Sequence, residues 1–447
     1  MRHFSQSVAM IRRYRLFVCA ICLLALAGLS PSHAYEVTTL PNGLTVVVEE
    51  NHAVDLVAID VWVRAGNGCE TEKNSGVSHF VEHLIFGATA KRKAGQLDME
   101  MESVGATLDA HTSQDWAHFN TTVGSRYVAK AFDVLHDATM NAAFDKDDVE
   151  RERLVILDEI AKKQTEPFDM CSERLARMLY GTHPYSRPAE GAPEVIKTLS
   201  RDDIFAYHRS RYVPMNMAVV IVGDINGKYA LDLVKQTFGQ EPKKEAPPIS
   251  YPPVAPPDHQ ITKAFRAPYK LMYVAFGFVG PRGSDSGDVC ATDVLLTYFG
   301  MGYRSWMSTT LKGKMKLAEE VRADYLTHAE PGLISISAAT SAANADKARS
   351  AITGEIQRIT IDGITDAELA TAKKSLLGQY AFENETFAGR TNAIGFYFTV
   401  SDIGFDAKYV SAVQAVTNAD IMRAAGKYLD VAHCGVLTLG SSEGGDR

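Results

Sequence analysis

Cysteine is scarce in this chain: there are six among 447 residues, and Cys19 and Cys22 lie inside an apolar N-terminal run. No C-x-x-C pair exists outside that run, which argues against a structural zinc ribbon. The remaining Cys69, Cys171, Cys290 and Cys434 allow three disulfide connectivities, and buried free thiols are an equal reading. Long apolar runs are missing too. The run at residues 16–29 has fourteen apolar positions, too few for a comfortable membrane span. Arg2, Arg12, Arg13 and Arg15 precede or abut it with no acid, and Ser32 and Ala34 supply small residues at −3 and −1 of a cleavage site. Residues 1–34 therefore read as a secretory signal peptide, giving an exported, periplasmic protein. An Arg-rich mitochondrial presequence, with a matrix location, is the alternative, but such segments are amphipathic instead of continuously apolar. Excess basic charge is absent as well. The net charge is −8, and loss of those four arginines takes it to −12, with no basic stripe for nucleic acid.

Proline is concentrated, not spread. Pro242, Pro247, Pro248, Pro252, Pro253, Pro256 and Pro257 crowd residues 241–259, which excludes helix and predicts an extended linker. It separates residues 35–240 from 260–447, each near domain size and expected to bury its own core. Both blocks open with apolar strands, pass through helices and finish with a strand before glycine, at 219–223 and 435–440. That order predicts two α+β domains of similar architecture, each with helices covering one face of a mostly antiparallel sheet.

The chemistry concentrates in His79-Phe80-Val81-Glu82-His83. Positions i, i+3 and i+4 project from one face of a helix, so both imidazoles can meet one ion with Glu82 beside it. Two neutral nitrogens and a carboxylate free to take a proton from water suit a catalytic zinc site. H-x-x-E-H is the inverted form of the H-E-x-x-H zinc motif. A solvated surface helix is the bland alternative. Against it, Val77, Phe80, Val81, Leu84, Ile85 and Phe86 make the helix largely apolar, where polar groups are costly unless paired or metal-bound. A third ligand must come from elsewhere. Residues 147–163 read as an amphipathic helix with Val149, Val155, Ile156 and Ile160 apolar and Asp145 available as N-cap. Glu152 and Glu159 stand two turns apart on it, though either also reads as an exposed helix charge.

Together these features resemble the pitrilysin-type, or inverzincin, zinc metallopeptidases, which include insulin-degrading enzyme and the mitochondrial processing peptidase. The resemblance implies Glu159 as third zinc ligand, with Glu152 orienting a ligating histidine through its other ring N–H. It continues through Leu40-Pro41-Asn42-Gly43-Leu44, through Gly66, Glu70 and Gly76, and through His183-Pro184-Tyr185 and Gly191. Tyr212, Pro214, Asn216 and Met217, ahead of the strand at 219–222, extend it further. Residues 105–113 look like the edge strand that holds substrate, so Asp109, Ala110, His111 and Thr112 are expected substrate contacts, with a polar edge-strand residue the favoured alternative for His111. The implied fold is a duplicated α+β domain forming half of a peptidase chamber, like the beta-type processing-peptidase subunits and bacterial exported homologues.

The second block lacks a zinc motif. Its stretch 299–321 resembles the family's glycine-rich segment leading to a substrate-binding Arg and Tyr, and here those positions read Lys312 and Glu319. Lysine loses the planar fork, and glutamate cannot replace a phenol beside a developing oxyanion. A shifted register would put Arg304 or Tyr303 there instead. The expectation is one Zn2+ per chain, Glu82 as acid–base, peptide substrate added as a strand, and a homologous partner subunit supplying the Arg and Tyr. That makes a heterodimer, with a homodimer second; the competing class is a non-catalytic scaffold subunit.

Overall fold

The computed structural model describes residues 35–441. The expected signal peptide at 1–34 lies outside these described residues. Six strands form the first sheet: β1 (Glu36–Thr39), β2 (Thr45–Glu50), β3 (Leu56–Val63), β4 (Asp109–Thr112), β5 (Ala117–Gly124) and β6 (Met217–Gly223), in the order β1-β2-β6-β3-β5-β4. All neighbours run antiparallel except β2 and β6. The second sheet holds β7 (Ile261–Phe265), β8 (Met272–Val279), β9 (Glu320–Leu326), β10 (Leu333–Thr340) and β11 (Gly435–Leu439), in the order β7-β11-β8-β10-β9. There too only the first pair, β7 with β11, is parallel. Strand for strand, this repeats the connectivity of β2 to β6. The fold is α+β.

The inner face of the first sheet, with Val57, Ile59, Val61 and Val63, packs on the helical layer through Phe80, Val81, Leu84, Phe132 and Leu135. That layer includes α1 (Val77–Leu84), α2 (Lys146–Lys163) and, later in the chain, α4 (Arg201–Arg211), with α3 (Pro167–Tyr180) between them in sequence. In the second half, α5 (Ser286–Phe299) lies in the equivalent layer, and α6 (Phe387–Val400) follows it.

Both sheets are covered on both faces, and here the structure departs from the sequence reading. The strand β3 is buried on alternate and intervening positions alike, as are β6 and β10. Such strands need a cover on each side. The second cover is exchanged between the halves. Helix α3 of the first half lies on the second sheet, where Phe168, Cys171 and Leu175 join Tyr273, Ala275 and Leu437 in one apolar cluster. Helix α6 of the second half lies on the first sheet. Gly395 allows its close approach, since a Cβ there would come within 2.1 Å of Trp62 Nε1. Arg64 donates to the carbonyl of Phe398 at 2.8 Å and stacks on its ring. Arg390 on α6 bonds Glu49 on β2 at 3.0 Å and Asp406 at 2.9 Å, all three buried. Each half thus buries its own main core, and smaller apolar clusters join the two where each lends a helix to the other's sheet. The segment 241–259 carries no helix or strand and is tied to the first half, with Arg211 donating to Pro247 O at 2.7 Å. Among the described residues, Cys69, Cys171, Cys290 and Cys434 are free thiols.

Candidate metal centre and substrate edge

Helix α1 starts at Gly76, whose φ of +93° and close approach to Glu190 O and Gly191 Cα exclude a side chain. Its first amides are capped by the buried Glu70 carboxylate, which accepts from Gly76 N–H at 2.7 Å and Ser78 N–H at 2.8 Å. Burial raises the Glu70 pKa while those amides oppose the rise. The sequence showed Glu70 only as a matching position; its capping role comes from the fold. Ser78 Oγ meets Tyr207 Oη of α4 at 2.7 Å, which fixes the helix from the other side.

From this helix His79 and His83 bring their Nε2 atoms to 3.3 Å, with the rings edge to face. Helix α2 crosses beside them and delivers Glu159, whose Oε2 stands 3.3 Å from His83 Nε2 and 3.7 Å from His79 Nε2. A tetrahedral zinc ion with ligands at ~2.0–2.1 Å spaces them about 3.3–3.4 Å apart. The three donor atoms therefore fit that ion as they stand, and His79, His83 and Glu159 are the set whose donors converge among the described residues. Burial, then the neighbouring His83, lowers the His79 pKa to about 4, so its ring is neutral and keeps a lone pair for a cation. Glu152 Oε2 lies 3.2 Å from His83 Nδ1 while its Oε1 accepts from Arg151 Nε at 3.1 Å, so the carboxylate orients the ring with Nε2 toward Glu159. His79 Nδ1 is buried without a hydrogen-bond partner.

On α2 the buried apolar residues are Val149 and Ile156, with Ile160 half-buried. Val155 is 41% exposed, contrary to expectation, because it turns away from α1 with Leu154. Asp145 occupies the N-cap position, but its side chain makes no cap bond.

Glu82 sits on the same turn, half-buried, and burial raises its pKa. Glu159 pushes it further, while the Thr112 hydroxyl stands close enough to oppose the rise without a hydrogen bond of normal geometry. Thr112 ends β4, which pairs only with β5 and leaves its other edge open. Asp109 and His111 are exposed on this strand, and Ala110 and Thr112 are half-buried toward the helices. Behind His111 lies His118, 2.9 Å from the buried Asp60 and stacked on Trp62 at 4.2 Å. Burial, then His118, lowers the His111 pKa.

A cavity of about 620 Å³ opens beside His79 and Glu159. Its second-half wall comes from Arg322, Asp324 and Leu326 of β9, from His328, and from Leu333 at the start of β10. Sequence reasoning missed these five. They carry no motif, and their place depends on the docking of the two halves. Lys312 and Glu319 are not among the residues lining this cavity: Lys312 is exposed in the helical turn Met307–Lys314, and Glu319 is exposed just ahead of β9.

Comparison with known proteins places the chain among peptidases. Residues 45–192 match the family described as insulinase (peptidase family M16), and residues 198–376 match the peptidase M16 inactive domain. An uncharacterized zinc protease of Mycobacterium leprae is 30% identical over 344 residues, covering 76% of this chain and 77% of that protein. A probable mitochondrial-processing peptidase subunit beta of Arabidopsis thaliana is 25% identical over 410 residues, 88% of this chain and 76% of its own. The fold is shared with a protease from Helicobacter pylori, at a TM-score of 0.86 and 23% identity over 91% of this chain and 99% of that one. It is also shared with the periplasmic protease PqqL from Escherichia coli, at a TM-score of 0.73 and 18% identity, where 91% of this chain covers 47% of the other. With its HxxEH helix, its duplicated sheets and a relative this similar over most of both lengths, the chain belongs to the insulinase family of peptidases, family M16.

Proposed function

We propose that this chain is a zinc-dependent endopeptidase acting on extended peptides or unfolded polypeptide segments, and that it is the zinc-bearing subunit of a heterodimer. The observation that carries the reading is the convergence of His79, His83 and Glu159 at tetrahedral-edge distances, with Glu82 on the same helical turn. When bound there, zinc supplies Lewis acidity that polarises a peptide carbonyl and acidifies water. Glu82 takes the water proton and passes it to the leaving amine; its raised pKa brings it nearer the pH at which it must do both. Glu152 keeps the His83 ring in its ligating orientation. The open edge of β4 accepts substrate as an added strand, so main-chain hydrogen bonds dominate and side-chain selectivity is weak.

The intact donor set favours this reading over a non-catalytic scaffold subunit. A partner is favoured by Lys312 and Glu319, which replace the family's Arg and Tyr, and by the twofold length of the PqqL chain. A homologous subunit lacking the zinc motif would supply that pair; self-association is the second arrangement. The pattern of residues 1–34 supports export to the periplasm.

The test is purification alone and with a homologous partner, zinc analysis, and cleavage of an unstructured peptide library. Glu82→Gln is expected to hold zinc as the wild type does and to lose on the order of a hundred- to ten-thousand-fold in turnover. Turnover retained in that variant removes Glu82 as the base. Full activity of the chain by itself removes the need for a partner.

A further inference from the structure

The tip of the β4–β5 hairpin, residues 113–116, is held from several sides, and one buried carboxylate lies at the junction. Its backbone docks on the turn Asn67–Cys69, with Asn67 N–H donating to Ser113 O at 3.2 Å and Gly68 N–H to Gln114 O at 2.8 Å. Gly66 is required there, since a Cβ would stand 2.1 Å from Ser113 O. Asp115, 8% exposed, turns inward from the tip. It accepts from the Tyr185 hydroxyl and from the Ala329 amide at 3.2 Å, and it faces His328 Nδ1 at 3.2 Å. Tyr185 belongs to the first half, whereas His328 and Ala329 lie in the loop between β9 and β10 of the second.

Neighbouring contacts close the junction. Glu330 N–H donates to Tyr185 Oη at 3.4 Å, Tyr180 Oη donates to Pro331 O at 2.9 Å, and the His328 and Tyr185 rings lie 4.6 Å apart. Burial, reinforced by Asp115, holds the Tyr185 phenol protonated far above its usual range, so it remains a donor. None of these groups touches the metal donors, and the mechanism above uses none of them.

We propose that Asp115 is a positioning residue that ties the substrate edge strand β4 to the second domain through His328 and the Ala329 amide. Strand β4 has four residues and is bonded along one side only. Left to itself, such a strand frays, and an incoming peptide must order it before main-chain hydrogen bonds form. The Asp115 junction orders it in advance. The same loop continues into β9, so the junction also sets the spacing between the strand edge and the cavity wall that carries Arg322 and Asp324. The consequence falls on substrate capture, because the junction holds the edge strand while the metal donors are carried by α1 and α2.

This inference deepens the peptidase reading and rests on it for its kinetic arm only. The decisive variant is His328→Phe, which keeps a ring against Tyr185 and removes the side-chain partner of Asp115 across the halves, leaving the Ala329 amide as the one remaining. Hydrogen exchange is read at the Ser113 and Gly68 amides, which donate to Trp116 O and Gln114 O, both at 2.8 Å. Exchange at both is expected to quicken about tenfold or more, with α1 amides and zinc stoichiometry unchanged. His328→Gln, which retains a donor, is expected to restore wild-type exchange. With an extended peptide, His328→Phe should raise KM about tenfold while kcat stays within about threefold, the signature of lost uniform binding. Wild-type exchange at Ser113 and Gly68 in His328→Phe overturns the proposal. A wild-type enzyme that cleaves nothing overturns the peptidase reading instead, and the exchange measurement still decides the junction.

Discussion

Asp293 on α5 offers a perturbation whose size follows from the structure. Burial pushes its carboxyl from 3.8 up to about 6, against the opposing hydrogen bond from the Tyr409 hydroxyl at 2.7 Å. The folded state therefore binds this proton more tightly than the unfolded chain does. Its contribution to stability is full below about pH 4 and is lost as pH rises through 6. A shift of about two units is worth about 3 kcal/mol at most. Between pH 5 and pH 8 the linkage integral comes to about 1.4 kcal/mol. Asp293 borders a cavity of about 160 Å³ and keeps some contact with solvent. Screening trims the expected change to about 1 kcal/mol. In Asp293→Asn the amide oxygen still accepts from Tyr409, and no proton is bound or lost. Urea unfolding of the zinc-loaded pair at both pH values isolates the group, since every other titration cancels in the difference. The variant should gain about 1 kcal/mol on the wild type from pH 5 to pH 8. An offset that is the same at both pH values refutes the assignment.

Gly395→Ala should cost about 1–3 kcal/mol despite alanine's better helix propensity, because the added Cβ meets a Trp62 ring that is fully buried and stacked on His118. Thermal unfolding measures it, and an unchanged Tm means α6 is not seated on the sheet as described. Arg390→Met removes the guanidinium that bridges buried Glu49 and Asp406 and should destabilise by about 3–5 kcal/mol at neutral pH, with partial recovery when Asp406→Asn is added. No recovery in the double variant would place the cost in lost packing. Zinc at about 1,000 times its Kd should stabilise the wild type by about 4 kcal/mol, and Glu159→Gln should lose most of that gain. An equal zinc-induced shift in both proteins takes Glu159 out of the ligand set.

How much of this was legible in the sequence depended on the range of the interaction. His79, Glu82 and His83 lie within one helical turn, so their common face follows from helix geometry alone. Glu159 is 76 residues beyond His83, and only the resemblance singled it out from other acids on α2. Glu152 was named the same way, and the structure places it against His83. Lys312 and Glu319 came from an alignment that says nothing of position, and they lie off the cavity beside the metal donors.

Hydropathy and proline placement by themselves pointed to two α+β halves and the segment between them, but not to the cover on the second face of each sheet. These are local patterns, set by how successive side chains alternate or recur along one element. Which helix covers which face was decided only by the tertiary structure. A doubly buried strand demands a cover, but any apolar helix satisfies that demand, and α3 and α6 are exchanged between the halves. The same holds for the cavity wall on β9 and the Asp115 junction: their partners lie far apart in sequence, and only packing of the two halves brings them within hydrogen-bonding reach.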